Sequence, residues 1–394
     1  MKQTLTSILI GIGLFALADT PAITNVTAQQ RYPWNGKVDI TYTVTGDVEE
    51  EAKARALMSP TIKVTAIDQT TGNAYTASAL SGDMGLSSGT HALVWDMNAD
   101  GLFFTSGDVV FDVSCVALPS FCIVDLSGGV NASSYPVTYL DNPPLGGFNT
   151  DEFKTTKLVL RRLEPGQIPT RDVTLTKPFY IALFEVTQRQ WELVMGNRPS
   201  YFANTSYYAT RPVEEVSYDM IRGSSSGSQW PASTAVDSGS FLGKLRARTG
   251  LDFDLPTEAQ WEYACRAGTI SDYNNGGYSE NDLKVLGRYR DSGGSGGTAS
   301  STTANGTAAV GSYRPNAWGL YDMHGNVTEW CLDWNGASMS GVDPVGSSSG
   351  SYRMIRGGTW NSDADLCTSS IRGGTDPWYT SFGDGFRLVR VLSD

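Results

Sequence analysis

The sequence predicts an α+β chain of two domains, a separate N-terminal all-β sandwich followed by an irregular, aromatic-rich α+β domain. Between residues 21 and 118, short β-branched runs alternate with turn clusters at the spacing of a sandwich. Eight of the ten tryptophans lie after Thr187, which suits an irregular core better than a helical bundle. At 394 residues there is length for both domains and a leader.

Residues 1–18 carry Lys2, an apolar run from Ile8 to Leu17 and an Ala16-Leu17-Ala18 cleavage signature. That pattern predicts a secretory signal peptide, too short and weakly flanked to span a bilayer. No lipobox cysteine follows, so the mature chain is expected to be extracytoplasmic, periplasmic or secreted, without stable membrane insertion. Val38–Val44, Thr61–Ile67, His91–Met97 and Val109–Val116 alternate as strands of an immunoglobulin- or fibronectin-like sandwich spanning 21–118. Glu49–Leu57 interrupts them with a helical signature. Residues 119–152, rich in turns around Pro143, Pro144, Gly146 and Gly147, are expected to be a connector.

The second domain is expected at 153–394. Phe179–Thr187 alternates as a strand, and Thr187 with Gln190 forms a capping box for a helix through Met195. Ser240–Arg248 places Phe241, Leu242 and Leu245 on one helical face, with Gly250 as the stop. Thr257 and Gln260 cap a third helix that closes near Gly268. Gly/Ser-rich inserts at Gly223–Ser228, Ser292–Gly306 and Ser347–Ser351 are expected as surface loops.

A formal net charge of −12 and an isoelectric point near 4.7 argue against a nucleic-acid partner, which needs clustered Lys and Arg. Two histidines, His91 and His324, leave little room for a multi-histidine metal centre. Cys115 and Cys122 are spaced to bridge a turn or to be buried as free thiols; Cys265 and Cys331 are expected as small buried hydrophobes.

Four blocks occur in fixed order: Leu255–Thr269 (LPTEAQWEYACRAGT), Gly319–Trp334 (GLYDMHGNVTEWCLDW), Arg356–Trp360 (RGGTW) and Gly385–Arg390 (GFRLVR). From about Lys154 to Leu392 the chain thereby resembles the formylglycine-generating enzyme, or sulfatase-modifying factor, family. The resemblance implies a C-type-lectin-like fold and O2-dependent oxidation of a sulfatase cysteine to formylglycine at a copper ion held by two thiolates. Laid on this sequence, the two cysteine positions are Ser362 and Cys367, so Cys367 is the catalytic candidate and one thiolate is missing. A hydroxyl is a hard, neutral donor that does not replace a thiolate on Cu(I). Cys331 is the one thiol expected to be able to swing in as a substitute.

The resemblance also implies calcium, held by the side chains of Asp322 and Glu329 and the carbonyls of Gly325 and Val327. Without a metal, Asp322 caps a turn and Glu329 pairs with Arg356 or Arg387. Of Trp318, Trp330, Trp334, Trp360 and Trp378, most are expected in the core and one or two at a ligand groove. Relatives carry a Met-Gly-Ser turn before the first strand; here Leu163–Ile168 runs almost directly into VTLTKPFYI. The variable proteins of diversity-generating retroelements end in a similar segment, comparable here to the stretch containing Asn361, Ser362, Trp378, Tyr379 and Ser381. The expected function is that of an exported binding or accessory member without the standard copper centre. Its partner would be a protein or glycan, an exported sulfatase among them. The alternative is an active formylglycine-generating oxidase.

Overall fold

The computed structural model describes residues 22–31, 35–45, 60–83, 89–102, 109–117, 119–203, 206–292, 306–336 and 339–391. The expected signal peptide, the helical signature at Glu49–Leu57 and the interior of the 292–306 insert lie outside them. The chain divides into two compact units, Met1–Leu118 and Pro119–Asp394.

The first unit is all β. Strands Ala22–Gln30, Lys37–Thr45, Gly89–Asp96 and Leu80–Gly82 form one antiparallel sheet in that order. Pro60–Asp68 lies between Ala74–Thr76 and Val109–Ala117 in a second. Alternation decides which faces meet: Val38, Ile40, Tyr42 and Val44 of the first sheet share one buried cluster with Ile62, Val64, Phe111 and Val113 of the second. Trp95 is fully buried there, and its indole N–H donates to Asp100 at 2.7 Å, so its one polar atom is satisfied.

The second unit is built on a six-stranded antiparallel sheet ordered Phe253–Asp254, Val389–Val391, Phe179–Ala182, Lys157–Leu163, Phe121–Asp125, Val137–Leu140. The connector expected at 119–152 is therefore a correction. Within it, Phe121–Asp125 and Val137–Leu140 are two of these strands, and Cys122, Val124, Leu126 and Tyr135 are buried in the main core. Its turn residues flank a strand, FCIVD, too short to declare itself by alternation. Cys122 is a free buried thiol and not half of a bridge.

The three helices of eight or nine residues, Gln188–Met195, Phe241–Thr249 and Glu258–Arg266, are each begun by the residue the sequence marks. Thr187 and Thr257 make complete capping boxes with Gln190 and Gln260, and the Ser240 hydroxyl accepts from the Gly243 amide. The helix Glu258–Arg266 closes just before Gly268, with Ala267 left-handed at φ 44°. All its residues are buried, including Glu258, Glu262 and Arg266, which is tolerable only because the charges are paired. Among the described residues no helix is long and apolar enough to cross a membrane.

Candidate functional site

The motif blocks meet in a second, four-stranded sheet. Thr328–Trp334 pairs antiparallel with Arg353–Arg356, bringing Glu329 opposite Arg356, and parallel with Asp384–Gly385 on its other side. The turn feeding this strand is sharply bent, with Asp322, Gly325 and Asn326 at φ 57°, 88° and 67°. A side chain at Gly325 would place Cβ 2.1 Å from the Arg288 carbonyl oxygen, so glycine is obligatory there.

Behind the turn lies a buried knot of charge. Both oxygens of Glu329 accept from the Arg387 guanidinium at 2.6 Å, and Oε2 also accepts from the Trp261 indole at 2.8 Å. Of the two metal-free partners expected for Glu329, the structure takes Arg387. Arg356 instead binds Glu262 at 2.5 Å, in a network where Arg171 and Arg266 each reach Glu262 at 2.9 Å. Both motif arginines thus fix loops through buried pairs.

Glu185 completes the knot. It accepts from the Asn326 side chain at 2.6 Å and the Val327 amide at 3.2 Å. Burial pushes its carboxyl well above the ordinary range, with Asp322 and Glu329 adding to the effect. Asp322 is also buried and is pushed up to about 6, chiefly by desolvation. Its Oδ2 accepts from the Gly311 amide at 2.6 Å, whereas Oδ1 is buried without a partner. Asp322 Oδ1 is left without a partner in this knot, both Glu329 oxygens are taken by Arg387, and among the described residues no group of three or more His, Cys, Asp or Glu is arranged to hold a metal ion.

The two positions matched to the copper cysteines lie on the loop after Gly358. The Ser362 hydroxyl accepts from the Thr359 amide at 2.9 Å and lies 3.3 Å from the Thr359 hydroxyl. Cys367 is fully buried among Tyr273, Leu283, Leu286 and Tyr289, and desolvation pushes its thiol up to about 12. Cys331 belongs to a different cluster, with Trp261, Met323 and Met354, and burial pushes its thiol well above the usual value. The structure therefore places Cys331 and Cys367 in separate buried clusters.

His324, which the sequence marked only as too few histidines for a metal, holds the Cys367 segment in place. Its Nε2 accepts from the Asn274 amide at 3.1 Å, so the proton is on Nδ1, which donates to the Cys367 carbonyl at 2.7 Å. Burial pulls the imidazole down to about 4, so it is neutral. Of the five tryptophans considered for a groove, Trp330 and Trp360 are buried and Trp378 is 66% exposed. Tyr201, Tyr379 and Phe382 are exposed as well, with the Tyr201 and Phe382 rings 6.0 Å apart. The Trp360 indole donates to the Phe382 carbonyl at 3.1 Å, tying this aromatic surface to the Ser362 loop.

Residues 145–392 match the model of the sulfatase-modifying factor enzyme 1-like domain. The chain belongs to the sulfatase-modifying factor family. With membership comes the irregular α+β, C-type-lectin-like fold anticipated from the motifs. The chain is 30% identical over 56% of its length to a chaperone protein, LppX, of Paenibacillus barcinonensis, of which it covers 82%. It is 38% identical over 34% of its length to the formylglycine-generating enzyme of Streptomyces coelicolor, and spans only 46% of that enzyme. Among solved structures, Treponema denticola variable protein 1 is 28% identical, with 60% of this chain and 95% of that one covered at a TM-score of 0.47.

Proposed function

We propose that this chain is an exported binding or accessory member of the sulfatase-modifying factor family, and not a formylglycine-generating oxidase. The observation that carries the reading is the state of the two matched positions. One is a serine whose hydroxyl is engaged by Thr359, and the other is a thiol held protonated in an apolar cluster. Copper oxidation of a cysteine needs thiolates as ligands. The exposed Tyr201 and Phe382, tied to this loop through Trp360, and the exposed pair Trp378 and Tyr379 give a protein or glycan partner aromatic side chains to bind. A relative bearing the name of a chaperone supports a protein partner, an exported sulfatase being one candidate.

The test supplies Cu(I), O2 and a peptide carrying the sulfatase Cys-x-Pro-x-Arg motif to the intact chain, with Cys367→Ala as control. Mass spectrometry is expected to find the cysteine unchanged with either protein. Formylglycine that disappears in the control would establish the oxidase reading instead.

Calcium is part of the proposal. By the family resemblance, Asp322 and Glu329 would hold it through side chains, Glu329 exchanging the Arg387 guanidinium for the ion, and Gly325 and Val327 through carbonyls. Added Ca2+ is expected to raise the melting temperature of the wild type and leave Asp322→Asn unmoved. An equal rise in both proteins would remove calcium from this turn.

A further inference from the structure

A cavity of about 360 Å³ opens in the second unit, away from the motif turn. None of residues 359–367 contributes to it. Its walls are apolar side chains from distant parts of the chain, Leu175, Trp230, Leu255, Leu332, Val345 and Val389 among them. By the volume of liquid water it has room for roughly a dozen small groups, the low end of the range for small-molecule sites.

Five charged groups line it, and Asp254, Arg246 and Asp343 are held by protein partners. Asp254 accepts from Arg222 at 2.7 and 2.9 Å, from Arg246 at 2.9 Å and from the Leu255 amide at 2.9 Å. Arg246 also donates to the carbonyls of Phe253 at 2.7 Å and Thr234 at 2.9 Å. Asp343 is held by the Thr176 amide at 2.8 Å and its hydroxyl. Asp252, the remaining acid, is 90% exposed, and Lys177, the remaining cation, is itself engaged. An ionic ligand would lose its hydration in exchange for groups already paired within the protein or turned to solvent.

One polar group in the lining is open. Trp230 is fixed through its backbone, whose carbonyl accepts from the Trp334 indole at 3.1 Å and from Arg353 at 3.4 Å. Its own indole Nε1–H is buried and has no partner. An indole donor can be satisfied only by an acceptor, and leaving it unmade is costly.

We infer that this cavity is a binding site for a small, neutral, aromatic or aliphatic molecule bearing a carbonyl or ether oxygen that accepts from Trp230. The inference goes beyond the binding reading above and does not depend on Ser362, Cys367 or calcium.

The full chain is titrated with acetophenone, ethylbenzene and benzoate while the Trp230 indole N–H resonance is followed by NMR. Acetophenone has the ring and the acceptor, ethylbenzene lacks the acceptor, and benzoate adds a charge. Acetophenone is expected to shift the resonance saturably, with ethylbenzene about tenfold weaker by the value of one hydrogen bond. Benzoate is expected to leave it in place. In Trp230→Phe, where that reporter is gone and binding is read from the ligand resonances by saturation transfer, the first two ligands should bind equally. Val345→Trp, on an exposed loop at the mouth, should abolish binding of both. The inference is overturned if acetophenone produces no saturable shift, if ethylbenzene or benzoate binds the wild type as well as acetophenone does, or if Val345→Trp leaves affinity unchanged. Should Trp230→Phe fail to fold, the ligand preference of the wild type and the Val345 variant still decide.

Discussion

Glu214 shows how one buried side chain sets a property of the whole second unit. Its two oxygens accept from the Tyr201 and Phe202 amides at 2.9 Å, yet burial outweighs those bonds and pushes the carboxyl up to about 7. The folded state therefore holds a proton that the unfolded chain releases near pH 4.5. The stabilisation is complete below that pH and is lost as pH rises through 7. Glu214→Gln removes this dependence: between pH 4.5 and 7 urea-denaturation free energies of the wild type should fall by up to about 3 kcal/mol more than those of the variant. Parallel slopes would show that Glu214 is ionised throughout. At this scale the sequence revealed residues whose motif neighbours announce them, such as Ser362 after RGGTW or Arg387 in GFR. It did not reveal Glu185, whose partner Asn326 lies 141 residues away. The one available signal was an acid inside the otherwise apolar run FYIALFEVT. His324 was equally silent, because its work is done on the backbone amide of Asn274 and the carbonyl of Cys367.

Elements with local chemistry at their ends were legible, and those without it were not. The capping boxes at Thr187 and Thr257 begin helices where the sequence puts them because cap and partner are three residues apart. Two-residue strands such as Phe253–Asp254 and Asp384–Gly385 have no period to read and exist only through their neighbours. The turn at Gly325 is the element on which the motif site depends, and it is tested by comparing two glycines with similar positive φ. Gly325→Ala meets the Arg288 carbonyl, whereas Gly341→Ala, at φ 91°, meets nothing within 4 Å. The Gly341 variant is expected to cost about 1 kcal/mol, the left-handed penalty alone, and the Gly325 variant about 3 kcal/mol or more. Equal losses in chemical denaturation would mean that the turn relaxes freely.

At the level of the molecule, the second unit starts at Pro119, where the sequence reading puts a connector after residue 118, because a turn-rich stretch carrying short strands looks like one. The boundary makes a sharp prediction. A chain beginning at Pro119 keeps Phe121–Asp125 and Val137–Leu140 on the sheet and should unfold in one cooperative transition. A chain beginning at Phe153 strips both strands from Lys157–Leu163 and uncovers its apolar side chains, so it should be insoluble or molten by near-ultraviolet circular dichroism. Two equally well-folded products would place the boundary further along the chain. The four buried thiols of this unit, Cys122, Cys265, Cys331 and Cys367, have a consequence of another kind. Only a thiolate reacts with an alkylating reagent, and burial denies each of them both ionisation and contact. Each is therefore a clock that ticks only when its own neighbourhood comes apart. Peptide-resolved labelling of the resting protein would read four such clocks at once, on the sheet, on the central helix, under the motif strand and beside the Ser362 loop, and so give the order in which the unit opens.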